Sequence, residues 1–227
     1  WTDHRGFLSR ITAGRPLVTL KLATSFDGRI ATARGESQWI TGTPARKMVH
    51  AMRARHDAVM VGGGTARKDD PNLTVRDMGA VHQPTRVVLT RTLDLPLTGN
   101  LARTAQDIPL LLCHGEEAPA DLQSVWNDLG ATLLPCAVRG GRLDPSDVLR
   151  QLGSHGLTRV FCEGGGTLAA SLLKAGLVDE LVVFTAGCTI GSDGTPSLQG
   201  LDVNEMPDAP RFKLVQMQQI GPDILHR

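Results

Sequence analysis

The stretch VFCEGGGTLAASLL, residues 160–173, joins an apolar run to three glycines and then to a second apolar run. The residues before Glu163 favour a buried strand, and the Leu and Ala residues after the glycines favour a helix. Glycines at such a turn let backbone N–H groups approach a phosphate, and the helix dipole favours the same anion. The stretch therefore predicts a strand–turn–helix unit that binds a nucleotide phosphate.

A second stretch, VMVGGGTARKDDP at residues 59–71, repeats the order of apolar strand, three glycines and threonine. In a parallel sheet both turns fall at carboxyl ends of strands, the edge where such sheets bind ligands. The alternative is that the glycines only permit tight turns and close helix packing. Gly164, Gly166 and Ala169 also match a dinucleotide fingerprint, but too few residues follow them for a Rossmann domain.

Strand-like and helix-like segments alternate through most of the chain, which predicts an α/β fold with a mostly parallel central sheet and flanking helices. Strands are expected at 17–25, 57–64, 86–92, 108–115, 131–137, 160–162 and 180–187. Helices are expected from an N-cap at Thr43 to about Arg55, and at 122–129, 144–156 and after Gly166. The last segment, 211–227, predicts antiparallel edge strands that form a hairpin around Gly221 and Pro222.

Composition points to a small-molecule partner. The 227 residues carry a net charge of +1, and no basic stripe or acidic tail suggests nucleic acid. No apolar run approaches the roughly 18 residues that cross a membrane, and no signal peptide is visible, so we expect a cytoplasmic protein. The four scattered cysteines are expected to be reduced, mostly core residues, and no metal site is expected. The chain starts with Trp1, so we expect a fragment or a processed chain.

Three longer motifs carry a family resemblance. KLATSFDGRIATARGESQWITG (21–42), VGGGTARKDDPNLTVR (61–76) and FCEGGGTLA (161–169) resemble the reductase domain of the bifunctional riboflavin-biosynthesis deaminase–reductases. The segment 161–187 is also similar to dihydrofolate reductases, which implies a dihydrofolate-reductase-like fold. The resemblance covers nearly the whole chain.

The resemblance also implies a domain organisation. HRGFLSR (4–10) resembles the segment that joins the two enzymes, so residues 1–15 are expected to be a linker remnant and residues 16–227 a single reductase domain. The deaminase needs a His-x-Glu and a Pro-Cys-x-x-Cys motif. The only Pro-Cys here, at Cys136, has Arg139 in place of the second cysteine. We therefore expect no deaminase domain in this chain, and a fused or separate deaminase as a possible partner.

The activity that the resemblance implies is reduction of 5-amino-6-(5-phosphoribosylamino)uracil by NADPH, with hydride reaching C1′ of the opened sugar. The implied cofactor-binding residues are Ala23, Trp39, Thr65, Asp69, Thr90, Arg91, Gly165, Gly166, Thr167, Leu168, Ala169, Ala170 and Ser171. Among them, Thr90 and Arg91 would hold the 2′-phosphate and so favour NADPH over NADH. The implied substrate-binding residues are Ser37, Arg53, Leu73, Arg76 and Glu163.

Asp69 is the candidate for proton transfer, because ring opening needs a proton near the nicotinamide. The alternative is that Asp69, Asp70 and Pro71 form only a turn with a helix cap. Arg53 lies in a basic helix run, and such runs are usually solvated. Lys21 either adds charge near the site or is an ordinary strand lysine, and His50 is expected to be a surface or capping residue.

Two other functions remain open at this point. One is reduction of a different pterin- or pyrimidine-like substrate in the same fold, and the other is a non-catalytic nucleotide-binding module. The matches at Ser37, Arg53, Arg76 and Glu163 favour the phosphoribosyl-pyrimidine, and the intact Asp69 and Glu163 argue against a degenerate site. The apolar C-terminal strands predict a homodimer.

Overall fold

The computed structural model describes residues 4–79 and 81–227. The helices of this part are α1 (Arg5–Ala13), α2 (Thr43–Arg53), α3 (Gly63–Asp69), α4 (Asn100–Arg103), α5 (Ala120–Asp128), α6 (Pro145–Ser154) and α7 (Gly166–Lys174), with a 3₁₀ turn at Met206–Asp208. The strands are β1 (Leu17–Thr24), β2 (Arg29–Ala31), β3 (Ala58–Gly62), β4 (Thr85–Leu89), β5 (Leu110–His114), β6 (Thr132–Pro135), β7 (Val138–Arg139), β8 (Arg142–Leu143), β9 (Arg159–Cys162), β10 (Glu180–Thr185), β11 (Thr195–Pro196), β12 (Met217–Ile220) and β13 (Asp223–His226). The strands and longer helices expected from the sequence are therefore present.

One nine-stranded sheet organises the molecule, in the order β12-β13-β10-β1-β9-β3-β4-β5-β6. The strands from β10 to β6 pair in parallel, whereas β13 and β12 pair antiparallel at one edge. The expected hairpin at Gly221 is confirmed. Because β1, β9 and β3 are neighbours, their carboxyl ends meet at one place on the edge of the sheet.

Apolar side chains cover both faces of the sheet, as a parallel sheet requires. On one face α6 and α7 pack through Leu149, Leu152 and Leu172, all of which are fully buried. On the other face Trp126 packs among apolar residues of the β4–β5 region, and its indole N–H donates to the carbonyl of Leu93 at 3.1 Å. Burying each such side chain stabilises the fold by roughly 1.5–3 kcal/mol.

The start of α2 differs by one residue from the expected position. The N-cap is Gly42, so the predicted cap at Thr43 is wrong. The Gly42 amide donates to the Asp223 carboxylate at 2.7 Å, and this bond to the C-terminal hairpin fixes the residue before the helix. Helix α6 begins as predicted, because Asp144 accepts from the amide of Ser146 at 2.9 Å.

The segment expected to be a linker contains α1, which packs against the reductase region. Gly6 is buried there, and a Cβ at this position would lie 2.4 Å from Cγ of Arg159. Arg10 donates through Nε to the carbonyl of Gly153 at 2.8 Å. Residues 1–3 of the expected linker lie outside the described residues.

Three cysteines, Cys113, Cys136 and Cys162, are buried as free thiols, whereas Cys188 is exposed. Burial raises the pKa of Cys162 to about 12, so its thiol stays protonated in the core. The expectation that the cysteines are mostly core residues is confirmed. Within residues 4–79 and 81–227, every helix is too short or too polar to span a bilayer.

Candidate active site

The two glycine turns lie side by side. Strands β3 and β9 are paired, with Met60 opposite Cys162, so both turns leave the sheet at neighbouring positions. The Gly165 amide donates to Oγ1 of Thr65 at 3.2 Å, which joins the second turn to the first. The Glu163 amide donates to the carbonyl of Met60 at 2.9 Å. The repeated motif therefore forms one continuous edge rather than two separate turns.

The N-terminus of α7 fits a phosphate group. Gly165 is the N-cap, and no side chain among residues 4–79 and 81–227 caps this end of the helix. A Cβ on Gly166 would lie 3.1 Å from the carbonyl oxygens of both Pro196 and Ser197, so a larger residue would require that segment to shift. The backbone N–H groups of the first turn therefore point to a place where an anion is favoured.

Not every residue expected to hold the cofactor can use its side chain for that purpose. Ala169 and Ala170 are buried in the packing of α7 against the sheet. Ser171 donates its hydroxyl to the carbonyl of Thr167 at 3.0 Å, one helical turn earlier. In this segment the first-turn backbone N–H groups, from Gly166 to Leu168, are the part available to an anion, because the Gly165 amide donates to Thr65.

The turn after β4 lies beside the first glycine turn, since a Cβ on Gly63 would be 3.4 Å from Cβ of Thr90. Thr90 is buried and donates to the carboxylate of Asp94 at 3.3 Å. Arg91 is exposed, and its carbonyl accepts from the Gly115 amide at 3.0 Å. The edge thus continues from β9 through β3 to β4.

Three charged side chains meet under the glycine edge. Arg53 grips both carboxylate oxygens of Glu163, through Nε at 2.6 Å and Nη2 at 3.2 Å. Its Nη1 donates to the carbonyl of Thr74 at 2.7 Å. Lys21 Nζ lies 3.9 Å from Oε2, the oxygen that also accepts from Arg53 Nη2. All three side chains are at most 16% exposed, so this is a nearly buried cluster with a net positive charge.

The pKa values of this cluster follow from burial and pairing. Burial opposes the charged form of Glu163, but Arg53 and Lys21 outweigh it, so the pKa of this carboxyl is lowered. Burial dominates at Lys21, where it lowers the pKa although Glu163 attracts the ammonium and partly offsets the effect. Arg53 also repels the Lys21 ammonium, which lowers the pKa of Lys21 further.

The other residues expected at the substrate site differ in exposure. The Arg76 amide donates to Nδ1 of His50 at 3.1 Å, and the Arg76 side chain is exposed. Leu73 is buried in the core, so contact with a substrate would have to come from its backbone. Ser37 is half-buried, in the loop before α2.

Of the two residues expected to line the nicotinamide, Trp39 is 66% exposed and Arg46 lies over its ring at 4.6 Å. Ala23 is half-buried near the end of β1, opposite Phe184 of β10. The described residues record no direct contact between Ala23 and Trp39. The structure therefore places Ala23 at the end of β1 and Trp39 against α2, without a contact between them.

Asp69 and Asp70 have different environments. Asp70 accepts from the Asn100 amide at 2.7 Å and so caps α4, which is the helix-cap role weighed for this segment. Asp69 is the last residue of α3, and its carboxyl makes no hydrogen bond within the described residues. Asp69 is exposed, yet desolvation by neighbouring atoms raises the pKa of its carboxyl, an effect that Lys68 partly offsets. A carboxyl with a raised pKa suits proton transfer.

Lys21 is the site residue that the sequence left undecided. It lies between Leu20 and Leu22 on a strand with strands on both sides. A charge in such a strand needs a partner, because burial without one is costly. That requirement is the sequence signal for a charged site under the sheet edge.

Comparisons with known proteins identify the family. The family model for the RibD C-terminal domain matches residues 16–226. The riboflavin biosynthesis protein RibD of Escherichia coli is 36% identical over 244 residues, which cover 97% of this chain and 62% of that protein. This chain thus spans about 60% of the length of the RibD proteins that it matches.

Solved structures agree. Acinetobacter baumannii RibD superposes with a TM-score of 0.85 at 33% identity, covering 98% of this chain and 60% of that one. A Thermotoga maritima protein described as a diaminohydroxyphosphoribosylaminopyrimidine deaminase and 5-amino-6-(5-phosphoribosylamino)uracil reductase gives a TM-score of 0.79 at 28% identity, with 97% and 58% covered. The expected dihydrofolate-reductase-like fold with antiparallel C-terminal edge strands is confirmed. The chain belongs to the RibD C-terminal domain family.

Proposed function

We propose that this domain reduces the ribosyl group of 5-amino-6-(5-phosphoribosylamino)uracil to the ribityl product, with NADPH as the reductant, in riboflavin biosynthesis. The carrying observation is the pair of glycine turns joined by the Thr65–Gly165 hydrogen bond directly beside the buried Arg53–Glu163 pair. The first feature fits a dinucleotide phosphate, and the second fits a polar substrate with ring N–H donors. Family membership supports the same reaction.

The cofactor would lie along the sheet edge. Backbone N–H groups from Gly166 to Leu168 would hold the pyrophosphate, while the Gly165 amide, bonded to Thr65, fixes the turn. The nicotinamide would lie near Ala23 and Trp39, at the end of β1. NADPH supplies the hydride when it is bound, and the protein supplies position and charge.

The substrate would lie against the charged cluster. A carboxylate has about four acceptor positions, so Glu163 can hold Arg53 and still accept from the N–H groups of a pyrimidine ring. Arg53 acts in this proposal by orienting Glu163 as well as by adding positive charge. Arg76 would bind the substrate phosphate, because its side chain is exposed and its backbone amide donates to His50.

Reduction also requires a proton. Opening of the sugar breaks the C1′–O4′ bond, C1′ gains a hydride, and O4′ must gain a proton. Asp69 is the proposed donor, because desolvation raises its pKa and no hydrogen bond within the described chain restrains its carboxyl. Lys21 is a second candidate, because burial lowers its pKa and it lies beside Glu163.

The test is a spectroscopic assay of NADPH oxidation, with the substrate made in the same tube by a separate deaminase. We expect oxidation only when both the chain and the deaminated substrate are present. If NADPH is oxidised with another pterin or pyrimidine but not with 5-amino-6-(5-phosphoribosylamino)uracil, the proposed substrate is wrong and the NADPH-dependent reductase activity stands. NADPH binding without turnover of any of them would favour a non-catalytic module.

We also propose that two copies associate through the C-terminal segment. Leu214, Val215 and Met217 are each more than 60% exposed, and β12 forms one edge of the sheet. An apolar edge strand is a site for pairing with another chain. Reduced thiols such as Cys113 suit the cytoplasm, where we place the protein, and the greater length of its RibD relatives supports a fused or separate deaminase as partner.

A further inference from the structure

Three hydrogen-bond donors converge on one carboxylate oxygen at the carboxyl end of β4. Asp94 Oδ1 accepts from Arg67 Nη1 at 3.0 Å, from Thr92 Oγ1 at 3.1 Å and from Thr90 Oγ1 at 3.3 Å. One guanidinium and two hydroxyls around a single anionic oxygen form a small anion-binding cluster. Neither Arg67 nor Thr92 is needed for the site described above.

The cluster lies on the same edge as the glycine turns. Arg67 is on α3, which begins at the first glycine turn, and its Nη1 would be 3.2 Å from a Cβ on Gly63. Strand β4 is two strands away from β9, whose turn would hold the pyrophosphate. Two strand spacings are about 10 Å, a distance that the adenosine half of a dinucleotide can span.

Arg67 is better placed for this cluster than Arg91. The Arg91 side chain is exposed, and its Cγ would lie 3.3 Å from a Cβ on Gly115, at the end of β5. Its stem therefore packs toward β5, whereas Arg67 lies over the glycine turn of β3. Lys68, the next residue on α3, points away, since its Nζ would be 3.1 Å from a Cβ on Gly35.

The Asp94 carboxylate can be displaced from these donors. The Arg67 and Asp94 side chains are 44% and 57% exposed, and an exposed ion pair contributes little to stability. A phosphate dianion offers more charge and more acceptor oxygens to the same guanidinium and hydroxyls. The cluster therefore has the donors for a phosphate, and Asp94 occupies them at low cost.

We propose that Arg67, with Thr92, binds the 2′-phosphate of NADPH, and that Asp94 competes for this position when the phosphate is absent. The proposal rests on the proposed function, because it assumes that the dinucleotide lies along this edge. The opposite role for Asp94 is to accept from the ribose 2′-hydroxyl of NADH, as acidic residues do in other dinucleotide sites. The two roles predict opposite effects of removing the carboxylate.

The experiment measures dissociation constants, without turnover, for NADPH, NADH, 2′,5′-ADP and 5′-AMP. Arg67→Gln should weaken NADPH and 2′,5′-ADP by about tenfold or more and leave NADH and 5′-AMP within about twofold. Asp94→Asn should tighten NADPH by up to about fivefold, because it removes the competing carboxylate. The control is Arg211→Gln, which removes the same charge from an exposed residue of the C-terminal segment. It should change none of the four dissociation constants.

Three results would overturn this proposal. The first is that Arg67→Gln weakens the binding of all four ligands equally. The second is that Asp94→Asn weakens NADH binding and leaves NADPH binding unchanged. The third is that the unaltered chain binds 2′,5′-ADP no more tightly than 5′-AMP. Because the readout is binding, a chain that selects the 2′-phosphate through Arg67 but fails to turn over would support the subsite while contradicting the reductase function.

Discussion

Glu163 holds its charge at a place where burial alone would remove it. Arg53 supplies two hydrogen bonds and Lys21 adds a second positive charge, so the carboxylate remains ionised although it is 10% exposed. The pairing also fixes the direction of the carboxylate, which a site that reads ring N–H donors needs. At the scale of single residues, the site is built on this one ion cluster.

Stability should depend on pH through Glu163. Its folded pKa is lowered from 4.5, so the stabilisation is present above that value and is lost as pH falls below it. We expect Glu163→Gln to lower the free energy of unfolding by roughly 1–3 kcal/mol at pH 7, with a smaller difference at pH 4. Urea unfolding at both pH values measures this, with exposed Glu205→Gln as the control. A difference that grows toward pH 4 would contradict the assignment.

Asp69 and Asp70 provide a matched pair for the proton step. Asp69→Asn should lower kcat by about 10²-fold or more, because the proton donor is lost. In the unaltered chain kcat should fall as pH rises through the raised pKa of Asp69, since only the protonated carboxyl donates. Asp70→Asn should retain kcat and most of the stability, because the Asn side-chain oxygen can still accept from the Asn100 amide. Equal losses of kcat in the two variants would remove Asp69 from the mechanism.

Single residues were the hardest part of the site to predict from sequence. The basic run of α2 is typical of a solvated face, yet Arg53 is nearly buried against Glu163. The run gives no sign of which arginine faces the sheet, because that depends on how α2 packs against it. The family resemblance identified Arg53 as a site residue, whereas the hydrophobic periodicity of the helix could not distinguish it from the other arginines.

At the scale of elements, the glycine turns decide what the edge can bind. The two GGGT motifs are far apart in sequence but adjacent in space, because β3 and β9 are paired. Their glycines are not equivalent, since some have backbone against the Cβ position and others face open space. Whether packing requires glycine therefore differs from one position of the motif to the next.

Gly166 and Gly64 separate the two cases. A Cβ on Gly166 would meet two carbonyl oxygens at 3.1 Å, so Gly166→Ala should destabilise the fold by roughly 1–3 kcal/mol. A Cβ on Gly64 meets nothing within 4 Å, so Gly64→Ala should leave stability unchanged or raise it by up to about 1 kcal/mol. Thermal unfolding of both variants measures the difference. Equal destabilisation would show that the space around these turns does not set their composition.

Elements were the most predictable level of this fold. Apolar strands, the Asp144 cap and the C-terminal hairpin follow from local chemistry, and the structure contains all of them. The cap of α2 was misplaced because a distant carboxylate, Asp223, fixes Gly42. Local sequence does not encode such a long-range bond. The same limit explains why strand order, which brings β9 beside β3, had to come from the structure.

At the scale of the whole molecule, the sheet ends in two edge strands, β12 and β6. The β12 edge carries Val215 and Met217 in exposed positions beside it, whereas the interior strands are covered on both faces. Exposed apolar side chains beside a free strand edge are a liability unless another chain covers them. The exposed apolar side chains at the β12 edge are the basis for the proposed homodimer.

The dimer can be measured directly. Light scattering after size-exclusion chromatography should give about twice the chain mass of 24.3 kDa. Val215→Asp with Met217→Asp should shift the mass toward one chain, because two carboxylates would be buried in the interface. Phe7→Asp, at an exposed apolar residue of α1, should leave the dimer intact. A monomeric unaltered chain would contradict the proposal.

The most direct test of the central claim is transfer of a labelled hydride. NADPH carrying deuterium at the transferred position is incubated with the chain and freshly deaminated substrate, and the product is analysed by mass spectrometry and NMR. We expect a ribityl product that is one mass unit heavier, with the deuterium at C1′. An unlabelled product, deuterium at another carbon, or no reduced product with NADPH bound would contradict it.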